Sequence, residues 1–560
     1  MNYPTKDSTN PQIQEYEFNS RQLSRNNSNN SQLLDDPTSE RNNKFDIATK
    51  DNVKDDKKSS VKDKLLALSL NFKRFFGFVG PGYVIAVGYL DPGNWATDLS
   101  GGSKFGYSLL FIIFCSNLMA MLLQSLSIKL GVVTGMDLAQ ACKHFFHRYP
   151  RYLLYVLCEL AIIATDLAEV IGSAIAIRML FNIPLPYGVA ITALDVMIIL
   201  FVYRDNSMKA SRILETFVML LVGTVGICFV LELVYSQPDS VDVLKGYLPS
   251  TGIFTNSEQL YIAIGIIGAT VMPHNLYLHS HLVKVRKYRE QELVTADRYN
   301  NLEAGQNIQL DKKDFKSIVS KLMNLSVMDS SVALTFALFV NSSILIVAAA
   351  NFFYKPTSIE VADLFDAYNL LSQYLGKAAG TLFALALLIA GQSSTLTATI
   401  AGQIVMEGFM GWKIRAWVRR LLTRSFAIIP AMIIAIVNGE NGLNNMLIAS
   451  QVALSIQLPF AVIPLVYFTS SKKCMKVDVR EVFKKNPDER NSPSILNSAP
   501  LGTEEDNSKI TVEKIDEDPY VTFPNTIWIT VIAIIVSIII LGLDIYLIYE
   551  TIKGVSQGTL

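Results

Sequence analysis

Two short polar strings interrupt otherwise apolar stretches of this 560-residue chain: Asp91-Pro92-Gly93-Asn94 and Met272-Pro273-His274-Asn275. Between them they carry groups that can bind a cation. Asp91 offers a hard anionic oxygen and Asn94 an amide oxygen. Pro273 has no N–H, so the carbonyl of Ala269 loses its helical donor and must find another donor, water or a cation. Met272 offers a thioether. Carboxylate and carbonyl oxygens alone suit calcium, magnesium or sodium. A thioether adds little for those ions but is a ligand for softer transition metals. The mixture points to Mn2+, Fe2+, Co2+ or Cd2+ and disfavours calcium. Taken alone, Met272 is more simply packing material; the helix break beside it favours the ligand reading.

A second group of residues could move protons. Asp166 and Glu169 are three apart, so they share one helix face. Chains of intramembrane acids and histidines are the usual material of proton relays. Three of the chain's five histidines, His274, His279 and His281, fall in or near the second polar string. His274 adjoins the candidate metal groups. His279 lies five residues further along, and a plain hydrogen-bonding role in a helix interface suits it as well as a relay role. Arg415–Arg420 is most simply a cytoplasmic flank, while Arg424 could pair with an acid of the relay. Gln392, Ser393, Ser394 and Thr395 could do no more than hydrogen-bond between helices. The sequon at Asn341 lies inside a span, where glycosylation is not expected.

The elements that must position these residues are membrane helices. Half of the chain is apolar, and apolar runs recur at about 75–97, 107–131, 152–180, 187–203, 212–236, 259–283, 325–352, 376–407, 423–438, 444–468 and 525–549. Each is near the length that a bilayer core of about 30 Å demands of a helix. The two proline breaks fall in the first and sixth of these eleven spans. Each therefore opens a group of five. Either break alone is an ordinary kink, but matched interruptions in two halves point to an inverted-repeat transporter with its site at the midplane.

Residues 1–68 are rich in Asn, Ser, Asp and Lys and read as a disordered cytoplasmic tail. Polar insertions at about 284–321 and 470–524 read as cytoplasmic loops, the second disordered. Basic residues concentrate on alternate links, including Lys143, Arg148 and Arg151, Lys284–Arg289, and Lys472, Lys473 and Lys476. The positive-inside rule then puts the N-terminus in the cytoplasm and, with eleven spans, the C-terminus outside. Zero net charge gives no hint of nucleic-acid binding. The five scattered cysteines form no CxxC pair, so a disulfide framework or thiolate metal site is not expected. No nucleophile–base constellation or phosphate-cradling loop suggests an enzyme.

DPGN at Asp91–Asn94 and MPHN at Met272–Asn275 resemble the signature of the Nramp family of proton-coupled divalent metal transporters. Ala390–Phe409, AGQSSTLTATIAGQIVMEGF, resembles that family's transport motif, and Thr165–Ala176 its third span. The match covers nearly everything from Gly80 to Phe468. The polar tails and the NNSNNS stretch resemble the family's fungal manganese and iron transporters. This resemblance implies an all-α membrane protein of the LeuT-type fold, with two inverted five-helix repeats, an extra eleventh helix, and broken first and sixth helices. It implies metal ligands at Asp91, Asn94, the Ala269 carbonyl and Met272, joined in some conformations by Gln451 of the tenth span. It implies proton transfer through the Asp166–Glu169 region, with Asp91 also titrating; His274 and His279 remain relay candidates on the chemistry above. The expected activity is import of Mn2+ and Fe2+, also Co2+ and Cd2+, into the cytosol together with protons, with no permanently bound cofactor. The expected partners are the metal ion, protons and the lipid bilayer. The lysine-bearing tail could meet ubiquitin-dependent sorting machinery, as in fungal relatives. Plasma, endosomal and vacuolar membranes are all compatible. An amino-acid transporter of the same fold, a Mg2+ transporter and a non-transporting nutrient receptor are the rival readings.

Overall fold

Helix α1, Pro92–Phe105, starts where its sequence requires. Proline is at its first position, where the missing N–H costs nothing, and the Asp91 side chain caps it by accepting from the Asn94 N–H. In the computed structural model, the described residues are Ile85 and 88–192, 223–284, 312–354, 363–478 and 520–557, apart from isolated positions 225, 232, 375 and 413. All of them belong to one folded unit, Arg74–Leu560. The expectations for the tail 1–68, the first half of the first span, most of the fourth and fifth spans, and the loop interiors 285–311 and 479–519 fall outside the described residues.

The remaining elements are almost all helical. A 3-10 turn, Gly106–Leu109, leads into α2, Leu110–Thr134. Then come α3, Leu138–Phe145, and α4, Arg148–Phe181. Beyond 223 follow α5, Ser240–Gly246, and α6, Ser257–Val271, which a one-residue break separates from α7, residues 273–284. Next are α8, Lys312–Ala348, α9, Leu364–Tyr374, α10, Lys377–Met410, α11, Ala416–Val437, and α12, Gly439–Ser470. Strands β1, Lys476–Asp478, and β2, Tyr520–Thr522, pair antiparallel across the second polar insertion and lead into α13, Ile527–Gln557. The first polar insertion is shorter than its composition suggested, since α8 is already helical at Lys312.

Among the described residues, eight helical stretches are long and apolar enough to cross a bilayer. One of them, Pro92–Thr134, has 43 residues. As a single helix it would be about 65 Å long, twice the hydrocarbon thickness. It divides at Gly106, where φ is 61° and ψ is −139°. It therefore supplies the second half of the expected first span and all of the second. Helix α4 packs on α10, α11 and α12, while α6 lies along α12 and α8 lies along α1 and α2. The polar residues of the two sequence strings end up inside this packing, each at most 1 % exposed.

Candidate functional site

The two helix breaks meet. Helix α6 ends at Val271, and Met272 carries the chain through the break at φ 33° and ψ 104°. That left-handed backbone is strained for a side chain of this size, a cost of about 1–3 kcal/mol that surrounding structure must hold in place. The Met272 N–H bonds to the Gly268 carbonyl and the Asn275 N–H to the Met272 carbonyl. The Ala269 carbonyl is left for a partner from elsewhere. Its donor is Asn94 of α1, whose Nδ2 lies 3.0 Å away. The same Nδ2 is 2.6 Å from Asp91 Oδ1. Three of the expected ligand groups thus share one amide.

The other two expected ligands adjoin them. Met272 Sδ accepts from Asn275 Nδ2 at 3.4 Å, and a Cβ on Gly88 would come within 3.0 Å of that amide nitrogen. A Cβ on Gly93 would overlap the Gln451 side-chain amide, so α12 brings Gln451 directly against the DPGN turn. Two oxygens at the site, Asp91 Oδ2 and Gln451 Oε1, are buried and accept no hydrogen bond from the described residues. Two orphaned buried acceptors, beside a main-chain carbonyl held only by the Asn94 amide and a thioether, are a donor set that a desolvated cation would satisfy. Among the described residues no group of three or more His, Cys, Asp or Glu side chains could hold a metal.

Two residues that the sequence did not suggest for this site hydrogen-bond to it. Thr270 Oγ1 lies 3.4 Å from Asn94 Oδ1, and Asn341 Nδ2 lies 3.5 Å from the same oxygen and 3.4 Å from the Tyr89 carbonyl. Asn341 is therefore a buried hydrogen-bonding residue of α8. Its sequon had drawn attention to glycosylation; the polar triplet Asn341-Ser342-Ser343 inside an apolar span was the signal of an inward-facing side chain.

A charge network lies on the other side of the break. His274 Nδ1 is 3.4 Å from Thr165 Oγ1 on α4, the residue before Asp166. Arg420 of α11 pairs with Asp166 and reaches Glu169 at 3.3 Å. Arg424 Nη1 is 3.7 Å from the same Glu169 oxygen, and Thr395 donates to it at 2.7 Å. Arg419 pairs with Glu159 at 2.6 Å. The flank reading of Arg415–Arg420 is thus corrected for two of its residues: Arg419 is 6 % and Arg420 1 % exposed. The physical reason is that α11 begins at Ala416, earlier than the apolar run indicated. Residues 420 and 424, four apart, then share the face turned toward α4. Burying Asp166 and Glu169 side by side requires cations, and the arginines supply them.

His279 is placed elsewhere. Its Nδ1 is 2.8 Å from Gln124 Oε1 on α2, whose Nε2 donates to the Tyr89 hydroxyl at 2.8 Å. No hydrogen bond joins it to Asp166 or Glu169 among the described residues. His281 and Lys284 reach Asp137, the N-cap of α3, at 3.1 and 3.4 Å.

Paired helix breaks that turn polar groups toward each other inside an apolar bundle define a multi-pass membrane protein of the transporter class. Residues 82–485 match the sequence profile of the family described as natural resistance-associated macrophage protein-like, Nramp, and the chain belongs to that family. It is 52% identical over 416 residues to a divalent metal cation transporter, MntH, of Nostoc, a match covering 74% of this chain and 88% of the relative. The corresponding MntH of Listeria welshimeri is 52% identical over 405 residues, covering 72% and 84%. Among solved structures, a mutant of the Eremococcus coleocola manganese transporter superposes with a TM-score of 0.65 at 33% identity, covering 86% of this chain and 88% of that one. The same transporter in complex with an aromatic bis-isothiourea substituted compound gives 0.64 at 32%.

Proposed function

We propose that the protein imports divalent transition-metal ions into the cytosol by proton-coupled alternating access, with Mn2+ and Fe2+ as substrates and Co2+ and Cd2+ accepted. The observation that carries this reading is the Asn94 amide held between Asp91 Oδ1 and the Ala269 carbonyl, with Asp91 Oδ2 accepting no hydrogen bond from the described residues. A cation arriving here displaces the amide protons and gains a carboxylate, a main-chain carbonyl and, after rotation of the amide, the Asn94 oxygen. Met272 adds a thioether that favours transition metals over calcium, and Gln451 adds an amide oxygen from α12. The names of the relatives point to the same substrate class.

His274 adjoins the Met272-Pro273 break in sequence, and its Nδ1 lies 3.4 Å from the Oγ1 of Thr165, the residue before Asp166, which supports a relay role. Asp166 and Glu169, with Arg420, Arg424 and Thr395 around them, form a route along which a proton displaced from Asp91 can leave. The rival amino-acid reading is disfavoured by the cap of α1. The N-terminal end of a broken helix attracts a substrate carboxylate, and here Asp91 already caps it with a carboxylate of its own.

The test is flux through the purified protein in liposomes containing a pH dye. Mn2+ or Fe2+ uptake accompanied by internal acidification is expected, with Ca2+ and Mg2+ excluded. Metal uptake without acidification would reject the proton coupling; amino-acid uptake without metal flux would reject the whole reading.

A further inference from the structure

We infer that a groove between α12 and α13 binds the acyl chain of an anionic phospholipid. The groove encloses ≈ 520 Å³. Its walls are Ile463 and Val466 on one helix and Ile534, Ile538 and Leu541 on the other. Tyr467 adds an aromatic ring to the wall, and the Ser537 hydroxyl midway along donates to the Ala533 carbonyl of its own helix at 2.8 Å and asks nothing of an occupant.

One end of the groove is chemically different. Ser470, Ser471 and Thr530 close it, with the Ser470 and Thr530 hydroxyls 3.2 Å apart. Lys472 and Lys473 follow directly and are exposed. From Thr530 to Leu541 the groove runs eleven residues along α13, about 16 Å. That is half of a hydrocarbon core of about 30 Å, the depth of a single leaflet. An acyl chain fits this depth, and a phosphate group at its head would lie among hydroxyls and ammonium groups. A sterol would fill the apolar part but bring no charge to the lysines. The basic end is also the cytoplasmic end by the positive-inside rule, and that leaflet carries the anionic lipids. Lys129 reinforces the same end, although its ammonium is held by the Pro524 carbonyl and Asn525 Oδ1 at 3.0 and 2.9 Å.

The test uses the full chain in detergent and native mass spectrometry with phosphatidylserine, phosphatidylcholine and cholesterol as competing probes. Wild type should retain phosphatidylserine over phosphatidylcholine by roughly thirtyfold, as two lysines at a membrane surface imply. K472Q/K473Q, a surface change that leaves the bundle intact, should reduce that ratio to near one. Ile538→Trp should lower retention of both phospholipids. Equal retention of the two phospholipids by wild type overturns the inference. So does an unchanged ratio in the lysine variant, or displacement of phosphatidylserine by cholesterol. Metal flux does not enter the readout, so the outcome is separate from that of the transport assay.

Discussion

The side-chain amide of Asn94 donates to the main-chain carbonyl of Ala269 across 3.0 Å, although the two residues are 175 apart in sequence. One helix break therefore supplies the donor that the other lacks. With no water available in a bilayer core, a broken backbone must be repaired from within the protein. A repair made by an amide that also touches Asp91 can be exchanged for a cation at little cost in hydrogen bonds.

Asp91→Ala should abolish Mn2+ binding measured by calorimetry, while the variant still folds and reaches the membrane. The carboxylate is the one anionic group among the proposed ligands, and the Asn94 N–H loses only its cap acceptor. Removing a cap costs about 1 kcal/mol, too little to unfold the bundle. Binding at the wild-type level would remove Asp91 from the site.

Met272→Ala should weaken discrimination against Ca2+ more than it weakens Mn2+ uptake. Losing a soft ligand leaves an oxygen set that suits hard ions. Competition of Ca2+ with Mn2+ flux measures this directly. If Ca2+ remains excluded, selectivity arises from cavity shape rather than from the thioether.

Arg420→Met should be strongly destabilising, by about 3–5 kcal/mol, because Asp166 and Glu169 lose a buried partner. Adding Asp166→Asn should recover part of the loss. A double-mutant cycle in thermal melts gives the coupling, and additive effects would show that the pair does not interact.

The two buried histidines should separate. His274→Ala should move the pH profile of metal uptake, since His274 connects to Thr165 beside Asp166. His279→Ala should lower thermal stability and leave that profile in place, since its partner is Gln124. A shifted profile in the His279 variant would extend the relay toward α2.

Asp363, the residue before α9 and outside the membrane segments, gives a pH dependence with a definite sign. Burial pushes its carboxyl up to about 6, against the hydrogen bonds it accepts from Phe365 and Asp366. A carboxyl whose folded pKa is raised favours the folded state while protonated. Its contribution is full below the unfolded value of about 3.9 and is lost as pH rises through the folded value. Wild type should therefore lose stability between about pH 4 and pH 7 relative to Asp363→Asn. Parallel melting curves for the two proteins across that window would contradict the shift.

The breaks were legible in the sequence because proline inside an apolar run leaves few options for the backbone. The polar groups at Asp91, Asn94, Ala269 and Met272, proposed as ligands, drew attention for the same reason: they flank those prolines. Arg419 and Arg420 were not. A cationic cluster beside an apolar run reads as a flank, and only the early start of α11 turns it inward. Asn341 and Thr270 were also obscured, since their positions depend on how α8 and α6 pack around α1. Helix contacts between distant segments leave no local pattern. Gln451 followed from family resemblance alone, and the close approach of α12 to Gly93 is what makes its position intelligible.

Met272 has a positive-φ backbone geometry that glycine would adopt with less strain. Laboratory selection for thermal stability alone should therefore drift toward glycine at this position. Such a drift would yield a sturdier protein without the thioether proposed as the soft ligand. If Met272 is a ligand as proposed, durability and ion choice are rival demands on one residue, and a stabilised variant intended for structural work should keep this methionine fixed.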